Sequence, residues 1–161
     1  MPFAVVMFLK RTGRHKNHLP SLAGDKFVEQ KLLIVEDNPQ LLEIFAIALS
    51  DAGFSVFTAN DGYAGLDRAR AERPDLILTD IEMPNLDGIQ MIERLRQEPE
   101  LQRIPVLVLS ALHTSVLMKA VAAGACEIMQ KPVELTLLIR IVRQTLGATL
   151  PDDGRTLNAH P

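Results

Sequence analysis

A single cysteine, Cys126, stands among the 161 residues. That excludes an intrachain disulfide framework and a cysteine-based zinc cluster, and it fits a reducing cytoplasm. Also missing is any apolar run close to the ~20 residues that a membrane helix requires, so no membrane partner is expected. There is no internal repeat and no low-complexity block. Net charge is small, −3, but it conceals a division. Residues 1–30 hold five Lys/Arg against two Asp/Glu, residues 31–150 eleven against sixteen, and residues 151–161 one against two. The central part is therefore mildly acidic, which does not suit direct nucleic acid binding. What is present in quantity is apolar: 47% of the residues are hydrophobic, enough for the core of one domain of ordinary size.

The two ends read differently from the middle. "MPFAVVMFLKRTGRHKNHLPSLAGDKF" has a short apolar stretch followed by basic residues, the reverse of the order in a secretory signal. Residues 1–30 are expected to form a flexible basic extension. "PDDGRTLNAHP" is polar and bracketed by proline, so residues 149–161 are expected to be a frayed tail. Between them, residues 31–148 alternate two signals. "KLLIVE", "FSVFTA", "DLILTD", "IPVLVLSA" and "EIMQKP" read as short strands. "NPQLLEIFAIALSDAG" reads as a helix with Asn38 as N-cap and Pro39 at its first position, carrying Leu41, Phe45, Ala48 and Ala52 at helical spacing up to Gly53. "DGYAGLDRARAER", ended by Pro74, "GIQMIERLRQEP", "TSVLMKAVAAGA", closed by Gly124, and "ELTLLIRIVRQTLG" are the other helices. Five strands alternating with five helices predict an α/β fold: a five-stranded parallel sheet with helices on both faces, doubly wound and flavodoxin-like.

In such sheets ligands bind beyond the C-terminal ends of the strands. The first strand ends in Glu36 and Asp37, the third in Asp80, the fourth in Ser110 and the fifth in Lys131. Three carboxylates gathered on one edge repel one another and call for a cation. Oxygen-only ligands without His or Cys favour a hard ion such as Mg²⁺, which commonly shares its coordination with a phosphate oxygen. Lys131 can offer phosphate a point charge, and Ser110 a hydroxyl donor. Asp80 is then the natural nucleophile, because a carboxylate can form an acyl phosphate.

"IVEDN", "LTDIEMPNLDG", "VLVLSA" and "MQKP" resemble, in that order, the four signature stretches of the response regulator receiver domain of two-component signalling. The match covers roughly residues 31–147. The resemblance implies that Asp80 is the phosphoacceptor, and that Asp37 and Asp80 ligate Mg²⁺ together with the backbone carbonyl of Glu82, with Glu36 acting through metal-bound water. It implies that Ser110 and Lys131 bind the phosphoryl group. The expected protein is a stand-alone receiver rather than an enzyme, fed by a sensor histidine kinase or a phosphotransfer protein and acting on a downstream protein target. The chain departs from the family at Ile128, where the family usually has an aromatic, and Glu82 adds a negative charge near the site.

Other readings stand beside these. The acids could be strand-end and helix-start residues with no joint role. The chain could be a non-switching interaction module that binds partners without regard to phosphorylation, which Ile128 favours. A metal-dependent phosphohydrolase usually needs a second Asp close after the first, where this chain has Glu82, and a cap segment for which there is no room. Asp87 and Gly88 read as turn and N-cap residues, Cys126 as a small buried residue, and His113 as solvated, while His15 and His18 have no acidic partners and are not expected to form a metal site. The last helix is nearly apolar all round from Leu135 to Ile141, so it is expected to offer an interface, including one for a homodimer.

Overall fold

The computed structural model describes residues 29–111 and 114–147. His15, His18, His113, the tail 149–161 and all but the last two residues of the N-terminal extension lie outside them. Five strands alternate with five helices: β1 (Lys31–Val35), α1 (Pro39–Asp51), β2 (Ser55–Ala59), α2 (Gly62–Glu72), β3 (Leu76–Asp80), α3 (Gly88–Gln97), β4 (Val106–Ser110), α4 (Thr114–Ala123), β5 (Glu127–Gln130) and α5 (Leu135–Thr145). All strand pairs are parallel, in the order β2-β1-β3-β4-β5. The predicted α/β doubly wound sheet is thus the fold.

Side chains alternate across a strand, and this builds two cores. Leu33 and Val35 of β1, Ile77 of β3 and Val106 and Val108 of β4 face a cluster completed by Leu66, Met91, Ile92 and Leu95 from α2 and α3. Leu32, Ile34, Leu76, Leu78, Leu107 and Leu109 face the other, completed by Phe45 and Leu49 of α1 and Leu138 and Val142 of α5. The three inner strands are therefore apolar on both faces, which is why "KLLIV", "LILTD" and "VLVLS" read as continuous runs rather than alternating ones.

Helix starts follow local chemistry. Asn38 Oδ1 accepts from the Gln40 and Leu41 amides at 3.0 and 3.2 Å, with Pro39 at the first helical position. Asp61 caps α2 through the Ala64 amide. Asp87 and Gln90 form a reciprocal capping box on α3, as the reading of Asp87 as an N-cap requires. The end of α2 is set by Arg73 in the left-handed region (φ 48°), directly before Pro74.

Two expectations are corrected. Cys126 is exposed rather than packed inside, because it follows the α4–β5 turn at the rim of the sheet. Its sulfur is nevertheless turned under, donating to the Val106 carbonyl at 3.2 Å. The last helix is not apolar all round. Leu138 and Val142 are fully buried, and Leu135, Leu137, Ile139 and Ile141 are partly buried against the same cluster. Thr136, Arg140 and Gln144 face solvent. The apolar residues are consumed by the core, and among the described residues the exposed large hydrophobics lie elsewhere: Ile44 and Ile47 on α1, Tyr63 on α2, Met118 and Val121 on α4.

Candidate functional site

The parallel register delivers four strand ends to one edge. Val35 pairs with Thr79, Asp80 with Leu109, and Ser110 with Gln130. Glu36 and Lys131 each stand one residue past their strand, held by the next ladder step: the Glu36 amide donates to the Ala59 carbonyl at 3.1 Å, and the Lys131 amide to the Ser110 carbonyl at 2.9 Å. One carboxylate oxygen from each of Glu36, Asp37 and Asp80 lies within 4.8 Å of the others. Glu36 is buried, 2% exposed, Asp80 is 9% exposed, and Asp37 faces solvent.

Lys131 Nζ donates to Glu36 Oε2 at 2.8 Å and to Asp80 Oδ2 at 2.9 Å. Burial works against its ammonium, but the hydrogen bonds and charges of Glu36 and Asp80 together outweigh that, and its pKa lies above the usual lysine value. The remaining carboxylate oxygens are also tied down. Glu36 Oε1 accepts from the Asn38 amide at 3.2 Å, and Asp80 Oδ1 from the Ile81 amide at 2.6 Å. Among the described residues no buried side-chain polar atom lacks a partner. Ser110 is fully buried at the end of β4.

The sequence-predicted residues are therefore brought together: Glu36, Asp37, Asp80, Ser110 and Lys131 converge at the C-terminal edge. Glu82 sits in the β3–α3 loop with its side chain exposed, and no backbone amide among the described residues donates to its carbonyl. Ile128 is half-buried on β5, opposite Val108 and packed on the first core cluster. Two contributors escaped sequence reasoning. Thr79 is buried and its hydroxyl donates to the Asp80 carbonyl at 2.9 Å; a polar residue inside an otherwise apolar run was the available signal. Gly88 sits against the Asp80 carbonyl, and a glycine in a turn does not by itself announce that.

The donor set suits a hard divalent cation. Every candidate ligand is oxygen, and three carboxylates against one ammonium leave two formal negative charges to balance.

A parallel five-stranded sheet with an acid cluster and a lysine at its C-terminal edge defines a receiver. The model of the response regulator receiver domain matches residues 32–143, and the chain belongs to that family. It is 31% identical to the polar-differentiation response regulator DivK of Brucella anthropi, over 73% of this chain and 97% of that protein. It is 36% identical to the response regulator MprA of Mycolicibacterium vanbaalenii, over 77% of this chain but 53% of MprA, so it spans about half the length of that relative. Among solved structures, the receiver domain of the sensor histidine kinase PA1611 from Pseudomonas aeruginosa, with a magnesium ion coordinated in its active-site cleft, has a TM-score of 0.70. It is 29% identical, over 74% of this chain and 99% of that one. Aspartyl phosphorylation and Mg²⁺ are general in this family, whose members interact with histidine kinases or phosphotransfer proteins. No described helix is long and apolar enough to cross a membrane.

Proposed function

We propose that this chain is a stand-alone cytoplasmic response regulator, phosphorylated on Asp80 in a Mg²⁺-dependent relay and signalling through protein–protein contacts rather than by turning over a substrate. The observation that carries the reading is the placement of the Asp80 carboxylate, held by Lys131 and grouped with Glu36 and Asp37. A carboxylate oxygen of Asp80 attacks the phosphorus of a phosphohistidine donor. The O–P bond forms, the P–N bond breaks, and the imidazole leaves with the bonding pair. Lys131 is placed to pair with a phosphoryl oxygen instead of the free carboxylate, and Ser110 to donate its hydroxyl. Glu36, Asp37, Asp80 and the Glu82 carbonyl are the groups that would hold Mg²⁺. When bound, the ion offsets repulsion between the anionic donor and the carboxylates and stabilises charge in the in-line transfer. A sensor histidine kinase or phosphotransfer protein supplies the phosphoryl group, and a downstream protein reads it. Self-association through α5 has little support, since Leu137 and Ile141 are already half covered by the core.

The test is acetyl phosphate with and without Mg²⁺, read by intact mass. The wild type should gain one alkali-labile phosphate only with Mg²⁺, and Asp80→Asn none. Asp37→Asn should weaken metal binding and slow transfer. No gain in the wild type, or an equal gain in Asp80→Asn, would favour the non-switching interaction module, to which Ile128 already lends weight.

A further inference from the structure

We propose that Gly88 is a positioning residue for the phosphoacceptor: its bare Cα lets the start of α3 close onto the Asp80–Ile81 peptide and hold the Asp80 carboxylate in one orientation. The inference deepens the reading of Asp80 as acceptor and rests on it.

Three contacts carry it. A Cβ built on Gly88 would collide with the Asp80 carbonyl oxygen and would lie 3.0 Å from both the Asp80 carbonyl carbon and the Ile81 Cα. These are backbone atoms of a fully buried strand end, so they cannot swing aside as a side-chain tip would. The Gly88 amide donates to the Ile81 carbonyl at 2.9 Å, closing the loop on the same pair of residues. The Ile81 amide, one end of the clamped peptide unit, donates to Asp80 Oδ1 at 2.6 Å.

The consequence follows from the geometry of one carboxylate. With Oδ1 held by the Ile81 amide, Oδ2 is the oxygen turned to Lys131 at 2.9 Å. Tilting the Asp80–Ile81 peptide to admit a methyl group would move the amide off Oδ1 and re-aim the whole group. Glu36 and Asp37 lie beyond the end of β1 and would stay in place. The opposite wall of the loop is closed in the same manner. A Cβ on Gly62 would meet the Leu86 carbonyl oxygen, and Leu86 is 1% exposed. The loop therefore cannot yield away from Gly88 without disturbing α2. Space, not backbone dihedral, is what Gly88 supplies, since it is not among the positive-φ glycines.

The experiment compares wild type and Gly88→Ala by thermal unfolding, by Mg²⁺ titration, by the rate of labelling from acetyl phosphate at saturating Mg²⁺, and by the Ile81 amide proton in NMR spectra. A misplacement of about 1 Å costs roughly 100-fold in rate. Folded Gly88→Ala should label at least about tenfold more slowly even at saturating Mg²⁺, should need more Mg²⁺ for half-saturation because Asp80 is also one of the groups that would hold the ion, and its Ile81 amide proton should move upfield. In the wild type that proton should be far downfield, slow to exchange, and displaced by Asp80→Asn. A spacer without a positioning role would lower the melting temperature and leave both the labelling rate and the Ile81 resonance unchanged; that result overturns the inference. If Gly88→Ala does not fold, the wild-type resonance decides, and a fast-exchanging Ile81 amide overturns it. Failure of the wild type to label would instead overturn Asp80 as acceptor, while the Ile81 resonance would still report on the clamp.

Discussion

Lys131→Ala tests the electrostatics of the site while leaving the acceptor residue itself in the chain. The side chains of Glu36, Asp80 and Lys131 are 2%, 11% and 17% exposed. Removing one partner from a buried pair costs about 3–5 kcal/mol, because the other charge stays buried. Here the ammonium edge reaches solvent and Asp37 is exposed, so solvent screening brings the cost to about 2–3 kcal/mol. For a domain of this size that is a fall of roughly 8–12 °C in Tm, read by circular dichroism at pH 7.5 in EDTA. The pH dependence has a definite sign. Lys131 has a raised folded pKa, so its contribution is fully present below the unfolded lysine value and is lost only as pH rises through the folded one. The gap between wild type and variant should therefore persist across neutral pH and narrow in strong alkali. Saturating Mg²⁺ stabilises whatever state binds it, about 2.7 kcal/mol at a hundred times Kd. The variant, with an unpaired acid cluster, should gain more from it than the wild type. A Tm in EDTA within about 2 °C of wild type, with equal gains from Mg²⁺, would refute the argument.

Ile128 offers no ring or polar tip at the position where receivers usually carry an aromatic. Phosphorylation shifts a conformation only by its differential affinity, so beryllofluoride should change amide exchange across residues 114–130 little; a large protection change there would contradict this. Cys126 is exposed, but partial burial of its sulfur and then the charge of Glu127 push its thiol pKa up, against weaker lowering by Arg96 and backbone hydrogen bonds. Alkylation needs the thiolate, so iodoacetamide should modify the native protein at pH 7.5 more slowly than the urea-unfolded chain, and an equal rate would refute it. Leu138→Ala removes a fully buried side chain and should cost about 2–5 kcal/mol. Met118→Ala, on a residue 67% exposed, should stay within about 0.5 kcal/mol in urea unfolding; similar costs for the two would mean the core is wrongly drawn.

The fold was legible because each strand and helix carries its own signal. A strand apolar on both faces and helices begun by Asn38–Pro39 or Asp87–Gly88 leave little freedom in type, and parallel crossovers leave little in topology. What the residues hid was accounting across elements. The run from Leu135 to Ile141 looks like a free apolar face, yet Leu138 is buried and its neighbours are half-buried against Phe45 and Leu49 of a helix some ninety positions earlier. Cys126 shows the converse. Small and apolar by type, it is exposed because it lies between Gly124, at φ +109°, and the short edge strand β5.

The site was legible for a different reason: its chemistry is spread over separate strand ends, so every charged group interrupts or closes an apolar run. Register then does what composition cannot. Ser110 pairs with Gln130, and the Lys131 amide still donates to the Ser110 carbonyl, so the lysine leaves the sheet one step past its last pair. Glu36 leaves β1 in the same manner, through its amide to Ala59. Each of these residues is backbone-anchored while its side chain turns inward over the edge, which brings Nζ to 2.8 Å from Oε2 across 95 positions of sequence. A shift of one residue in either strand would reverse which face the side chain takes. The acid cluster therefore depends on the two apolar cores that set the register, and a core variant that slips β5 against β4 should lose Lys131's contacts to Glu36 and Asp80 and slow acceptor chemistry, while Glu36, Asp37 and Asp80, which lie at the ends of β1 and β3, still gather for Mg²⁺.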